Sequence, residues 1–323
     1  MHIPDNYLSP ETCLVLGAAM VPVLAVSVRR VRAKLPERNV PLIGVGAALS
    51  FLIMFFNVPV PGGTTAHAVG GTLLAVLLGP EAACLALAAA LLIQSLFFGD
   101  GGILALGANL FNIAFVMPFS GYALYHAFAS VLTGGKRKLA AAGIASYAAI
   151  NLGALAAGVE FGIQPLLFRG PDGLPLYSPY PLQISVPAML IPHLTVAGFA
   201  EAAFTVGVLA FLHRVSPDML QSGEVSYKKW SGLLLFLVML TPLGLLAAAT
   251  AWGEWSGREI GRQIGYVPSG MTHGVDYHAL FSGYSMNGLP PFAGYLLSAV
   301  AGCAILIILF RLLQSGRRKG GQR

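Results

Sequence analysis

Charge is what this chain of 323 residues has least of. Asp, Glu, Lys and Arg make up 10% of it, where soluble domains carry about 25%. With 56% hydrophobic residues and long apolar runs, that deficit excludes an ordinary soluble domain and points to a polytopic membrane protein. Paired cysteines are missing too. Cys13, Cys84 and Cys303 each fall inside an apolar run, which argues against a disulfide framework and a thiolate zinc site. No Gly-x-x-x-x-Gly-Lys-Ser/Thr loop, His-Glu-x-x-His or Gly-x-Ser-x-Gly occurs. The chain thus has no signature for ATP hydrolysis, zinc proteolysis or serine hydrolase chemistry. Any ATP that powers it is hydrolysed by another subunit.

What is there is a series of apolar stretches at 12–28, 40–58, 68–78, 81–98, 103–132, 139–162, 182–213, 231–252 and 291–313. A helical span needs about twenty apolar residues, so 68–78 is short for one. Pro118, Pro187 and Pro192 predict kinks in the long ones. The net charge of +6 does not signal nucleic acid, because of where the cations sit. Except for Arg169, Arg258 and Arg262, every Lys and Arg follows the first, fifth, seventh or ninth stretch. Lysine and arginine mark cytoplasmic loops. Nine crossings then leave the amino terminus outside and the carboxyl terminus in the cytoplasm. The expected fold is an all-α polytopic helical bundle. A Ser-, Asp-, Gly- and Glu-rich linker at 215–229 divides it into a core, 1–222, and an appended region, 223–323, with two transmembrane helices and an extracytoplasmic loop.

The amino terminus is not a targeting signal. Met1-His2-Ile3-Pro4-Asp5-Asn6-Tyr7-Leu8-Ser9-Pro10 holds no Lys or Arg and carries an acid, so it is read as mature protein. A terminal amine followed directly by histidine is a compact chelator: the Met1 amine, the His2 amide and the His2 imidazole can face one point. His67, after Pro59-Val60-Pro61-Gly62-Gly63-Thr64-Thr65-Ala66, falls on the same side of the membrane. Together they offer four nitrogens, and a planar set of four suits Ni(II) or Cu(II). All four must be proton-free to ligate, so binding is expected to collapse as pH falls through the histidine range, with several protons competing. The other reading is that His2 is a surface residue and His67 an interfacial one. His193 lies inside a span, as a functional group or as a neutral hydrogen-bonded one. His273 and His278 are either metal-handling or simply solvated.

The first ten residues, Gly62-Gly63-Thr64-Thr65-Ala66-His67, Gly107-Ala108-Asn109, and Ser185-Val186-Pro187-Ala188-Met189 through Pro192-His193 resemble the CbiM/NikM family. These are substrate-binding components of energy-coupling-factor (ECF) transporters for cobalt and nickel. The resemblance covers residues 1–215; the remainder resembles the fused tail that stands in for a separate small subunit. It implies a seven-helix core with the amino-terminal segment folded into it, and Ni²⁺ or Co²⁺ as transported substrate rather than cofactor, with no organic cofactor. It implies as ligands the Met1 amine, the His2 amide and imidazole and the His67 imidazole. It also implies partners: a transmembrane coupling (T) component and two cytoplasmic ATPase subunits in a prokaryotic cell membrane. Asn6 departs from the family's glycine, but asparagine tolerates a left-handed turn. Asp5, Thr64, Thr65 and Asn109 are candidates to hydrogen-bond the ligating histidines. The rival function is a secondary carrier that works by alternating access without ATPases, which would bind its ion deep between broken helices. The few acids within the spans favour capture at the outer surface.

Overall fold

Ser9 ends the amino-terminal segment by capping α1 (Pro10–Lys34). Its hydroxyl accepts from the Thr12 N–H, Pro10 occupies the first turn, and Glu11 faces the positive end of the helix. The computed structural model describes residues 1–36, 39–60, 64–132, 134–215, 227–247 and 249–320. Gly62, Gly63 and the 222/223 boundary lie outside the described residues.

α1 and α2 (Val40–Met54) differ in what surrounds them. Leu14, Val15 and Val21 of α1 are 73%, 65% and 65% exposed, as expected of a helix that faces lipid. Every residue of α2 is buried, which makes it the axis of the bundle. The last helix, α13 (Pro291–Gly320), lies against it. Gly44 of α2 faces Phe310, and Gly302 of α13 leaves the room that Phe51 fills. These glycines let the two helices approach closely within the chain.

After α2 the chain turns into a hairpin of β1 (Val58–Val60) and β2 (Thr64–Ala66), paired antiparallel with Pro59 opposite Thr65. The two prolines and the β-branched run account for strand instead of helix. α3 (Gly71–Leu78) has eight residues, only about 12 Å of helix. Gly79, at φ 85°, passes the chain to α4 (Pro80–Ile93). Arg30 near the end of α1 donates to Glu81 at 2.7 Å, which fixes this junction about 30 Å along α1 from Pro10. The short stretch thus reaches the far end of the bundle because residues 67–70 run as loop, not helix. α4 returns through a π-helical turn, Gln94–Phe98, to the Met1 end.

α5 (Leu106–Asn109), a π segment at Leu110–Val116 and α6 (Met117–Val131) run on as one rod. α7 (Gly135–Leu167) follows, and then α8 (Leu182–Pro192), π-helical His193–Ala197 and α9 (Gly198–Val215). α10 (Tyr227–Leu240) leads into a 3-10 turn, Thr241–Leu246. Before α13 the chain holds α11 (Gly257–Ile264), closed by a Ser256–Glu259 capping box, and the short α12 (Ser269–Thr272). Among the described residues, Pro10–Lys34, Pro80–Phe98, Gly135–Leu167, Leu182–Arg214 and Pro291–Ser315 are long and apolar enough to cross a membrane. Val40–Met54 and Trp230–Leu246 are apolar but shorter. The protein is mostly helical, as its composition predicts, with the hairpin as the departure from all-α.

Candidate metal centre

The first nine residues are core, not tail. Met1 is 7% exposed, His2 3% and Ile3 0%. Burying an irregular segment requires partners for its backbone, and several are supplied. The Asn109 side chain accepts from the Ile3 N–H at 2.8 Å and donates to the Ile3 carbonyl at 3.0 Å, as a neighbouring strand would. Asp5 accepts from the amides of Ile103, Leu104 and Ala105 at the approach to α5. The Ser9 N–H donates to Gln164 of α7. Asn6 turns the chain at φ 70° and pairs its amide both ways with Val275, accepting from N–H and donating to carbonyl. The residue that departs from the family's glycine thereby ties the segment to the carboxyl-terminal region.

These restraints bring the His2 and His67 rings to 5.2 Å between centroids. His67 follows β2, and its Nδ1 lies 3.0 Å from the Ala68 carbonyl, which leaves Nε2 to accept a ligand. Glu201 of α9 grips the next two residues, accepting from the N–H groups of Val69 and Gly70. His2 Nδ1 lies 3.2 Å from Asp100, while its Nε2 is buried without a hydrogen-bond partner. The His2 main-chain N–H also has no partner among the described residues. Buried bare nitrogen is costly, and both of these nitrogens belong to His2.

Electrostatics strips protons from the same point. Burial lowers the Met1 amine against the pull of Glu254 and Asp100. Burial also lowers His2, and it takes His67 down to about 3, helped by the amine and by His2. Burial raises Glu254 to about 7, with the amine opposing. Asp100 stays below the usual carboxylate range: burial would raise it, but His2 and the Tyr284 hydroxyl outweigh that. Among the described residues no three His, Cys, Asp or Glu side chains form a metal-holding group. A transition metal at this point must take main-chain or terminal nitrogen beside the two imidazoles.

Of the four residues expected to support the histidines, none hydrogen-bonds an imidazole among the described residues. Asp5 and Asn109 position the amino-terminal segment instead. The Thr64 hydroxyl donates to the Thr250 carbonyl of the carboxyl-terminal region, and Thr65 is a buried strand residue facing Pro59. The supporting role falls to Asp100 and the Ala68 carbonyl. Asp100 sits in Gly99-Asp100-Gly101-Gly102, which reads as a plain turn. Its signal was an acid in a glycine-rich turn on the side of the two histidines. His193 Nδ1 lies 2.6 Å from the Met189 carbonyl, the neutral, hydrogen-bonded arrangement.

Residues 2–219 match the family described as cobalt uptake substrate-specific transmembrane region, CbiM, and residues 228–317 match the PDGLE domain. The chain is 51% identical to a probable fused nickel transport protein, LarMN, of Lactiplantibacillus plantarum, over 97% of this chain and 98% of that one. It is 46% identical to the fused nickel transport protein NikMN of Rhodobacter capsulatus, over 95% of each chain. A crystal structure of a truncated transition metal transporter superposes with a TM-score of 0.63 at 53% identity, covering 66% of this chain and 99% of that one. The chain therefore belongs to the CbiM family, with a PDGLE domain joined to it in one polypeptide.

Proposed function

We propose that the protein is the substrate-capture membrane subunit of an ATP-driven, ECF-type uptake transporter for Ni²⁺ or Co²⁺. It takes the ion at the extracytoplasmic face through the Met1 amine, the His2 amide and imidazole and the His67 imidazole. The observation that carries this reading is that the buried Met1 and His2 meet the half-buried His67, with burial lowering the proton affinity of all three. The names of the relatives, nickel and cobalt transport proteins, support the cargo. The lysine and arginine pattern supports an amino terminus outside and a carboxyl terminus inside a prokaryotic cell membrane. In this reading the helices of 1–222 form a seven-helix core, and 223–323 stand in for the small subunit. A transmembrane coupling component and two cytoplasmic ATPases supply the energy, since the chain has no phosphate loop of its own.

The amide of His2 and its own ring can close a chelate only through Nδ1, the ring nitrogen nearest the backbone. Loading therefore turns the ring about its Cβ–Cγ bond, exchanging the edge that now meets Asp100. A planar set of this kind favours nickel, then cobalt, over tetrahedral zinc. The test is titration of each metal into the purified chain, its first residue verified by mass spectrometry. One nickel ion per chain, bound more tightly than zinc and with a planar absorption spectrum, is expected. Tighter zinc, or an octahedral spectrum, refutes the four-nitrogen site. ATP-dependent uptake into vesicles only when coupling and ATPase subunits are present separates this reading from a secondary carrier.

A further inference from the structure

We infer that Tyr284, in the carboxyl-terminal region, is a positioning residue for the metal site and acts through Asp100 on the His2 ring. This rests on His2 being a ligand, as proposed above. The Tyr284 hydroxyl donates to Asp100 Oδ2, and Asp100 Oδ1 accepts from His2 Nδ1. Gln94, in the π turn that ends α4, donates to both Asp100 and the tyrosine hydroxyl. A carboxylate that holds one ring nitrogen decides where the other points. The turn of the ring that loading requires keeps this grip. It carries Nε2 to the edge that Nδ1 and Cε1 occupied, so Asp100 can then accept from Nε2–H.

The placement of Tyr284 shows a constraint that packing alone does not require. It is one of two non-glycine residues with positive φ among the described residues, at 58°, a conformation held only where its surroundings overdetermine it. The ring stacks on Phe98 at 5.0 Å and meets Phe55 at 4.4 Å, and Ser298 of α13 donates to its carbonyl. A phenylalanine fills the same aromatic space. Only the hydroxyl explains why the side chain is directed at Asp100. The loop that carries Asp100 is fixed with matching closeness. A Cβ on Gly101, at φ 79°, would sit 3.0 Å from the Asn109 amide and 3.4 Å from the His2 ring, and one on Gly102 would overlap Asp5. The carboxyl-terminal region thus reaches the cargo's ligand across 184 residues of sequence.

The experiment compares the full chain with Tyr284→Phe, Asp100→Asn and Tyr295→Phe. The last is a control: its hydroxyl donates to the Phe55 carbonyl at 3.3 Å, in the same aromatic cluster but away from Asp100. Nickel affinity is read by competition with a chromophoric chelator, and the His2 ring by ¹⁵N chemical shifts in the metal-free chain. Tyr284→Phe is expected to weaken nickel by about 10- to 100-fold. It is also expected to move the nickel absorption band and the His2 ¹⁵N shifts, with an unchanged melting temperature. The double variant with Asp100→Asn should lose little more than either single one, because the two act in series. Tyr284→Phe behaving like Tyr295→Phe, or losses that simply add, overturns the inference. If His67→Ala binds nickel like the parent, the metal-site reading fails instead. The His2 ¹⁵N shifts still report whether Tyr284 and Asp100 set the ring.

Discussion

Two pairs of histidines stand at the Met1 end of this molecule, and burial separates them. His2 is enclosed and bare at one nitrogen, His67 beside it is half-buried with Nδ1 on the Ala68 carbonyl, and burial lowers the proton affinity of both. His273 and His278 lie on the carboxyl-terminal loop. His273 Nδ1 lies within 3.1 Å of the Ser269 carbonyl, and His278 faces Asp276 at 3.4 Å with both side chains more than 80% exposed. The residue type is the same, so the difference lies in the surroundings. Where water is excluded the imidazole gives up its proton and keeps a lone pair for want of any other partner. Where water is present the ring is satisfied already and a metal has to compete with solvent.

Lengthening the amino terminus by one residue breaks this comparison most severely. It turns the Met1 amine into an amide and forces bulk into a site where Met1 is 7% exposed. Calorimetric titration of nickel should register no binding, whereas a carboxyl-terminal tag should change nothing. Unchanged binding by the extended chain, its extension verified, would remove the amine from the donor set.

His67→Ala comes next. Losing a donor should cost more than the ~10- to 100-fold that changes around a ligand cost, with the fold retained. His193→Ala is its counterpart. The buried ring is held by the Met189 carbonyl, so removal should lower thermal stability by about 1–3 kcal/mol and leave nickel affinity nearly unchanged. If only the His193 variant loses nickel, the site moves into the bundle and the carrier mechanism gains.

Acid sharpens the comparison. Ordinary histidines would release protons to an arriving metal between pH 6 and 7, the steep dependence that residue type alone suggests. Here His67 is already neutral down to about pH 3, and His2 and the Met1 amine are lowered as well. Near neutral pH the His67 ring has no proton to lose, so log affinity should rise with pH less steeply than the residue types suggest. Stability moves in the same direction. The folded pKa of His67 lies below its unfolded value, so as pH falls past ~6.5 the unfolded chain takes the proton first and stability declines towards pH 3. Affinity from pH 6 to 8 and melting curves from pH 7 to 4 check both signs. A slope of two or more would mean that the imidazoles hold protons in the folded chain.

That His2 and His67 meet was legible because a terminal Met-His and a histidine behind Gly-Gly-Thr-Thr-Ala are local signals. The support of His2 was not. Asp100 and Tyr284 meet from 184 residues apart, and Asn6 and Val275 from 269, distances on which local periodicity carries nothing. Asp5 and Asn109 were recognised as important but misassigned, because a polar residue near a ligand can serve the ring or the backbone that carries it. Here the irregular amino-terminal segment had the greater need of partners. The stretch at 68–78 looked too short to cross because span length was counted in helical rise, whereas residues 67–70 run as loop before α3 begins.

The smallest effect belongs to the exposed pair. Replacing both His273 and His278 with alanine removes every histidine from the carboxyl-terminal loop, yet it disturbs only bonds made at the surface. His273 makes contacts within its own turn, and the His278–Asp276 pair is too exposed to stabilise the loop measurably. Nickel affinity of the double variant should stay within about twofold of the parent, below 0.5 kcal/mol at 1.4 kcal/mol per factor of ten. The rate of nickel capture at low metal concentration should also be unchanged. A slower capture rate at unchanged affinity would show that exposed histidines pass the ion inward, and that burial separates two stages of one route instead of a ligand pair from a solvated one.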